Sequence, residues 1–447
     1  MKFRLNEEQP TAVPRKAKQV GEARSEKWGW VERSVWTERM LEALEQGVKG
    51  GMWFSLIDKV YRPETLYKAW TLIKANRGGA GADHQTIEGF ERNLEGNLER
   101  LHEELCTGTY QPRSILRVYI EKEGSRDKRP LGIPSVRDRV VQTALRLVIE
   151  PIFERVFHPR SFGFRPGRGC KDALREVDRL LKGGHCCVVD ADLQSYFDSI
   201  PHDQLMSEIR RYIADGRALK LIEGFLKQGI VEGLLHWTPE EGTPQGAVIS
   251  PLLANLYLHS LDVAMAEAGL QMVRYADDFV VLCQSDREAK IALELMQSQI
   301  SMKGLRFHPE KIHLVDVRIA GQGFDFLGYR FEGATRWPRK KSLNKVRNNI
   351  RAKTGRSNGK SLPCIIAEVN CTLRGWFEYF KHSNKRTFPG LDQWIRRRLR
   401  SILRRRLKGK GISGGYDHIR WPKRHFRELG LFSLEEAHGA LLQPSVR

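Results

Sequence analysis

The chain has 447 residues, 40% of them apolar, enough to bury the cores of two or three domains and to exclude a disordered tail. Its formal charge of +21 is uneven: from Phe331 to Arg447 there are 28 Lys and Arg against 8 Asp and Glu, whereas the residues before hold 47 against 46. A basic excess so concentrated points to a polyanionic partner, nucleic acid first and an anionic membrane surface second. Against the membrane, no run approaches 18 apolar residues, and MKFRLNEEQPTAVPRKAKQV at the start has no apolar signal core, so a cytoplasmic protein is expected. The seven scattered cysteines include no C-x-x-C pair, which favours neither a disulfide framework nor a structural zinc site.

Residues 1 to about 35 are polar and mixed in charge, and the spacing predicts an N-terminal extension over 1–50. From Met52 to Cys106 apolar residues recur at helical spacing (Leu66, Trp70, Ile73, Phe90, Leu94, Leu98, Leu101, Leu105), broken by the loop NRGGAGADHQ. SILRVYIEKEGSRDKRPLGIP then reads as two strands around a Gly-Ser-Arg-Asp turn, with Val118, Ile120, Leu131 and Ile133 alternating. DRVVQTALRLVIEPIFERVF is helical, SFGFRPGRGC a loop, and HCCVVDADL a short buried strand. The stretch through Leu261 is read as mainly helix. Strands return at 271–283, a helix at about 286–303, and strands around HLVDV and DFLGYRF. The order strand, helix, hairpin, helix, strand is that of an α+β domain built on a split βαβ sheet with helices on one face. Beyond it, LDQWIRRRLRSILRRRLKGK puts Leu391, Trp394, Ile395, Leu399, Ile402, Leu403 and Leu407 on one helical face, with arginines including Arg397, Arg398, Arg404 and Arg405 covering the rest. Such a helix tracks nucleic acid phosphates, or is simply a solvated charged face.

In RYADDFVVLC two carboxylates, Asp277 and Asp278, sit between apolar strands. Aspartate is a common turn residue, so alone the pair is compatible with an ordinary turn. A second acidic site changes the weighing: VVDADLQSYFD ends a strand with Asp190 and Asp192, followed by Asp198. A strand end beside a hairpin turn in one small sheet brings Asp192 toward Asp277 and Asp278. Converging carboxylates must protonate or bind cations, and hard oxygen donors select Mg²⁺ or Mn²⁺. Two such ions suit phosphoryl transfer, and in a basic protein that means polymerising or cutting nucleic acid.

These residues also carry a resemblance. RYADDFVVL resembles the Y-x-D-D core of reverse transcriptases, and DLQSYFDSIPH their first catalytic strand. KEGSRDKRPLGIPSVRDRVVQTALRLVIEPIFE, SFGFRPGRGCKDAL, GTPQGAVISPLLANLYL, HPEKIHLV and FDFLGYRF follow in the family's order, with NRGGAGADHQTIEGF upstream and RGWFEYF downstream. Over roughly Phe54 to Leu407 the chain is similar to the group II intron reverse transcriptase/maturase family.

The resemblance implies a right-hand polymerase fold, with fingers and palm over 51–335, a helical thumb or maturase domain X over 336–410, and a short basic, DNA-binding-like segment over 411–447. It assigns Asp192, Asp277 and Asp278 to the catalytic metal site and leaves Asp190 and Asp198 structural. Phe197 corresponds to the aromatic beneath the incoming sugar, or is a core phenylalanine. Lys122 and Arg129 match fingers residues that neutralise a triphosphate, unless the hairpin is merely solvated. Gln245 matches a residue near the nascent pair, and Lys311 one near the triphosphate or pyrophosphate. Arg165 and Arg168 are expected template or fingers contacts. Trp376, Phe377, Tyr379 and Phe380 pack the thumb or stack on bases. After Lys410 come His418, His425 and His438 without cysteine, so an H-N-H nuclease is not expected.

The implied activity is RNA-directed DNA polymerisation with Mg²⁺, Mn²⁺ being possible, on dNTPs and an RNA template with a DNA primer. The implied partners are group II intron RNA and target DNA, with no membrane, in a cytoplasmic, nucleoid or ribonucleoprotein setting. A splicing-only maturase and a host-adopted reverse transcriptase in defence or repair are the rival readings.

Overall fold

The computed structural model describes residues 28–48, 50–121, 128–333, 335–409, 411 and 414–442. Residues 28–48 are more ordered than their polar, charged composition predicts. Trp28, Val31, Val35 and Trp36 are buried, and the Trp36 indole donates to the Leu147 carbonyl at 3.0 Å. Residues 28–48 thus pack into the same core as the helices that follow. Their helical apolar spacing was masked by the charged residues between them.

The helices Pro63–Asn76 and Leu94–Thr107 pack against the helix Val136–Glu154, which Ser135 caps by accepting from the Asp138 amide. Strands β1 (Ile115–Glu121) and β2 (Lys128–Ile133) form the expected antiparallel hairpin. Beside β1 lie β4 (Ile230–Glu232), parallel to it, and β5 (Leu235–Trp237), giving a sheet of order β2-β1-β4-β5. This second hairpin replaces part of the helix expected up to Leu261. Its strands are three residues each, too short for a period-2 pattern, and Gly233 at φ +59° turns it.

The palm sheet has the order β6-β7-β3-β8, with β3 Cys187–Leu193, β6 Gln271–Tyr275, β7 Asp278–Cys283 and β8 Phe307–Asp316, and every pair is antiparallel. This is the expected split βαβ arrangement. Helices cover both faces, however, not one. Val189, Ala191, Phe279 and Val281 pack under the helices Ser250–Glu267 and Asp286–Met302, whereas Val188, Val273, Val280 and Leu282 pack against the helix Cys170–Lys182. Adjacent apolar residues in β3 and β7 supply a greasy side chain to each face, as strands buried on both sides require.

A small sheet of β9 (Phe324–Phe326), β10 (Tyr329–Glu332) and β11 (Thr335–Pro338) leads into the thumb. There the helices Lys340–Lys353, Leu362–Phe380 and Thr387–Arg406 enclose a separate core. Residues of the segment expected over 411–447 contribute to this core. Phe426 and Leu434 belong to the thumb core, and buried Asp392 accepts from Ser433 Oγ and the amides of Leu434 and Glu435, capping the helix Leu434–Leu442.

Candidate functional site

Period-2 alternation puts Val188, Asp190 and Asp192 on one face of β3, and antiparallel register sets Asp192 directly across from Asp278, the first residue of β7. Asp277 lies in the turn between β6 and β7. The three predicted carboxylates thus meet at one end of the palm sheet. Asp190, expected to be structural and apart, shares that face. Burial, then the neighbouring Asp278, Asp325 and Asp192, push its carboxyl up to about 7.

The Asp278 carboxyl is likewise pushed up to about 7, by burial first and then by Asp277 and Asp192, although the Leu327 amide bonds to it. Burial, with Asp192 beside it, raises Asp277 too. Lys311 Nζ donates to Asp192 Oδ2 at 2.5 Å, so two predicted residues meet directly. With Asp192 paired in this way, no three His, Cys, Asp or Glu side chains among the described residues converge tightly enough to hold a metal ion as they stand. The donor set nevertheless fits a hard divalent cation: it consists of carboxylate oxygens, and burial with mutual repulsion, which raises Asp277 and Asp278 above the usual range, is a cost that a cation would relieve.

What shapes the turn was not legible as a motif. Ala276 holds φ +59°, a conformation few residues with a side chain adopt. Arg274, completely buried, donates through Nη1 to the Ala276 carbonyl at 2.9 Å and to Asn255 Oδ1 at 3.0 Å. Its Nε donates to Asp262 Oδ1 at 2.7 Å, and its Nη2 pairs with the other oxygen of the same carboxylate. Asn255 in turn donates to the Gly163 carbonyl at 2.6 Å. A Cβ on Gly163 would stand 2.2 Å from the Ala276 amide nitrogen, so only glycine lets the SFGFRPG loop lie against the turn that holds Asp277. An arginine inside an apolar strand was the available signal, because a buried guanidinium needs an acidic partner.

The other predicted residues fall into three groups. Arg129 Nε donates to Gln245 Oε1 at 2.8 Å, and Gln245 Nε2 donates to Asp198 Oδ2 at 3.0 Å, joining fingers to palm. Phe197, in the turn Tyr196–Asp198 just after β3, is 8% exposed and packs on Tyr196. Lys122 lies outside the described residues.

The second group is made of arginines with partners inside the protein. Arg165, expected as a template or fingers contact, is buried, grips Glu154 through Nε and Nη2, and gives Nη1 to the carbonyls of His158 and Ser161. Arg168 is partly exposed but donates to the Pro159 carbonyl. In the arginine helix, Arg397 and Arg405 are exposed, whereas Arg398 bonds Thr354 and Arg404 pairs with Asp417 at 2.9 Å. The last two tie helices together, so the outward basic face is narrower than the sequence implied.

The third group supports the site from the thumb. Phe377 and Phe380 are buried, the Tyr379 hydroxyl donates to the Leu327 carbonyl at 2.7 Å, and the Tyr329 hydroxyl donates to the Tyr379 carbonyl at 2.5 Å. Leu327 and Gly328, at φ +46° and +84°, form the turn between β9 and β10 whose backbone reaches Asp278.

Residues 120–331 match the family described as "Reverse transcriptase (RNA-dependent DNA polymerase)", and residues 343–421 match "Group II intron, maturase-specific domain". The chain is 40% identical over 215 residues to the group II intron-encoded protein LtrA of Lactococcus lactis subsp. cremoris, covering 48% of this chain and 35% of that protein. It is 33% identical over 320 residues to the protein YkfC of Escherichia coli K12, covering 62% and 82% respectively. To a putative COX1/OXI3 intron 1 protein of Saccharomyces cerevisiae it is 25% identical over 426 residues, covering 81% and 50%. The alignment thus spans about a third of the length of the Lactococcus protein.

Proposed function

The chain belongs to the group II intron reverse transcriptase/maturase family, and on that premise we propose that it copies RNA into cDNA and binds intron RNA to promote splicing and mobility. The observation that carries the polymerase reading is the end of the palm sheet, where Asp192 faces Asp278 across β3 and β7 with Asp277 in the adjoining turn. Asp192, Asp277 and Asp278 would hold Mg²⁺, with Mn²⁺ as a substitute. When bound, such ions supply Lewis-acid activation of the primer 3′ hydroxyl and stabilise the departing pyrophosphate.

The chain's own side chains define the rest. Lys311, already against Asp192, presents an ammonium where a triphosphate arrives. Arg129 approaches from the fingers hairpin, held by Gln245. Phe197 would floor the sugar and leave no room for a 2′ hydroxyl, favouring dNTPs. The exposed Arg397 and Arg405 would meet phosphates of the RNA–DNA duplex or of the intron. Target DNA is part of the same proposal, as is a ribonucleoprotein-bound cytoplasmic setting. No helix among the described residues is long and apolar enough to cross a membrane.

Primer extension by the purified chain on an RNA template with a DNA primer tests this. The expected result is cDNA that depends on Mg²⁺ and stops with EDTA. Folded protein that binds intron RNA and accelerates its splicing, yet makes no cDNA, would leave the splicing-only reading in its place.

A further inference from the structure

The turn between β9 and β10 is held more firmly than a chain reversal needs. Leu327 sits at φ +46°, a left-handed conformation costly for a residue with a side chain, and such a bend persists only where its surroundings hold it. Three groups do so, all from outside the sheet. The Tyr379 hydroxyl, at the end of the helix Leu362–Phe380, donates to the Leu327 carbonyl at 2.7 Å. The Arg339 amide and the Ser342 hydroxyl, at the start of the helix Lys340–Lys353, donate to the Gly328 carbonyl at 3.0 and 3.2 Å. Both carbonyls of the turn are thus taken by the thumb, while the Leu327 amide bonds the Asp278 carboxyl.

Tyr379 is tied to the neighbouring strand as well. The Cys170 thiol, on the first residue of the helix Cys170–Lys182, is in hydrogen-bond contact with the hydroxyls of both Tyr379 and Tyr275. Tyr275 is the register partner of Asp278 across β6 and β7. Each of these side chains has a single proton to give, and Tyr379 has committed its own to Leu327, so the thiol donates to Tyr379 and accepts from Tyr275. Asp278 is therefore bracketed by Tyr275 across the ladder and by Leu327 at its carboxyl, and both lead to Tyr379. A plain hinge between palm and thumb needs no such bracket, whereas a metal donor does, because outer hydrogen-bond partners fix the direction in which a ligand faces. We infer that Tyr379 is a positioning residue for the proposed cation site: from the thumb it fixes the direction of the Asp278 carboxylate, so that cation affinity depends on how the helix Leu362–Phe380 is seated on the palm. The inference rests on Asp278 being a metal donor, as proposed above.

Cation binding without nucleic acid tests it apart from polymerisation. The full chain is titrated with Mn²⁺, free metal being followed by electron paramagnetic resonance, and affinity for an RNA–DNA duplex is measured separately in EDTA. The wild type binds Mn²⁺, and Asp278→Asn weakens that binding. Tyr379→Phe, which removes one hydroxyl and keeps the ring, weakens Mn²⁺ binding by roughly 2- to 12-fold, the share of one hydrogen bond, and leaves duplex affinity unchanged. Cys170→Ala lowers Mn²⁺ affinity by less, and Cys170→Ser, which still donates and accepts, restores it. If Tyr379→Phe fails to fold, the two Cys170 variants carry the test. Unchanged Mn²⁺ affinity in folded Tyr379→Phe, or equal loss of Mn²⁺ and duplex affinity, overturns the inference. A wild type that binds no Mn²⁺, or an Asp278→Asn variant that binds it as tightly, overturns the metal-site reading itself. A silent Tyr379→Phe beside a weakened Asp278→Asn overturns this inference alone.

Discussion

The palm sheet and the helix Thr387–Arg406 handle charge in opposite ways. In the palm a few charged groups are buried and individually accounted for: Arg274 has no exposed surface and every nitrogen of its guanidinium has a partner. Along the thumb helix charge is repeated, and only part of it faces outward, at positions such as Arg397 and Arg405. Buried groups in one network act as a unit, whereas exposed charges are screened and nearly additive. The proposed catalysis, which needs atoms at fixed places, would sit on the first kind of charge. Tracking a polyanion of any sequence can use the second.

The largest effect should come from the palm. Asp277→Ala removes a proposed metal donor and is expected to lower primer extension by roughly 10²–10⁴-fold while RNA affinity stays at the wild-type level. A filter-binding assay in which RNA affinity fell equally would erase the separation between the two regions. Next, Arg274→Met leaves Asp262 charged and unpaired in the interior, which should cost about 3–5 kcal/mol in urea unfolding. A cost no larger than that of an exposed arginine would mean the network is not cooperative.

The pH dependence sharpens the contrast through its sign. In the fold Asp190 and Asp278 are held up to about 7, whereas an unfolded aspartate titrates near ~3.9. Their stabilising contribution is therefore complete below about pH 4 and is lost as pH rises toward 7. In the thumb the Arg404 side chain holds Asp417 below the usual range, so that contribution is present above about pH 4 and is lost on further acidification. Comparing urea midpoints in EDTA from pH 4.5 to 8, Asp278→Asn should flatten the loss toward neutral pH, and Mg²⁺ should shift the wild type in the same direction. Parallel curves for variant and wild type would contradict the raised carboxyl.

Smaller effects belong to the thumb. Asp392→Ala removes a helix cap and should cost about 0.5–2 kcal/mol, read as a lower thermal midpoint. Arg405→Ala should be the mildest, lowering the salt slope of duplex binding by about one without changing the fold. A sharp, salt-independent loss there would show that the thumb also contains a site built from individual contacts.

What could be read from sequence follows the same division. The facing of Asp192 and Asp278 was legible because period-2 strands and the order of motifs leave few alternatives. The surroundings of Asp190 were less legible: alternation places it on the face of Asp192, but its neighbours Asp278 and Asp325 come from segments far along the chain. Arg165 looks like any surface arginine until Glu154 is seen in space, and Arg274, although its apolar strand signals burial, shows its neutralising acid Asp262 only there. Strands β4 and β5 escaped notice because three residues carry no periodicity. Trp28 to Trp36 were hidden by their charged neighbours, which face outward while the apolar residues turn in.

The Arg274 network has a consequence for how the protein assembles. Asn255, Asp262, Arg274 and Ala276 lie close together along the chain, whereas Asp192 and Asp278 are separated by most of the palm. Closing a loop of about twenty residues costs less chain entropy than closing one of about eighty-five, and contacts between near neighbours form sooner. The turn holding Asp277 can thus take its left-handed bend from its own helix–strand unit, so that β3 docks onto an edge whose carboxylates are already aimed.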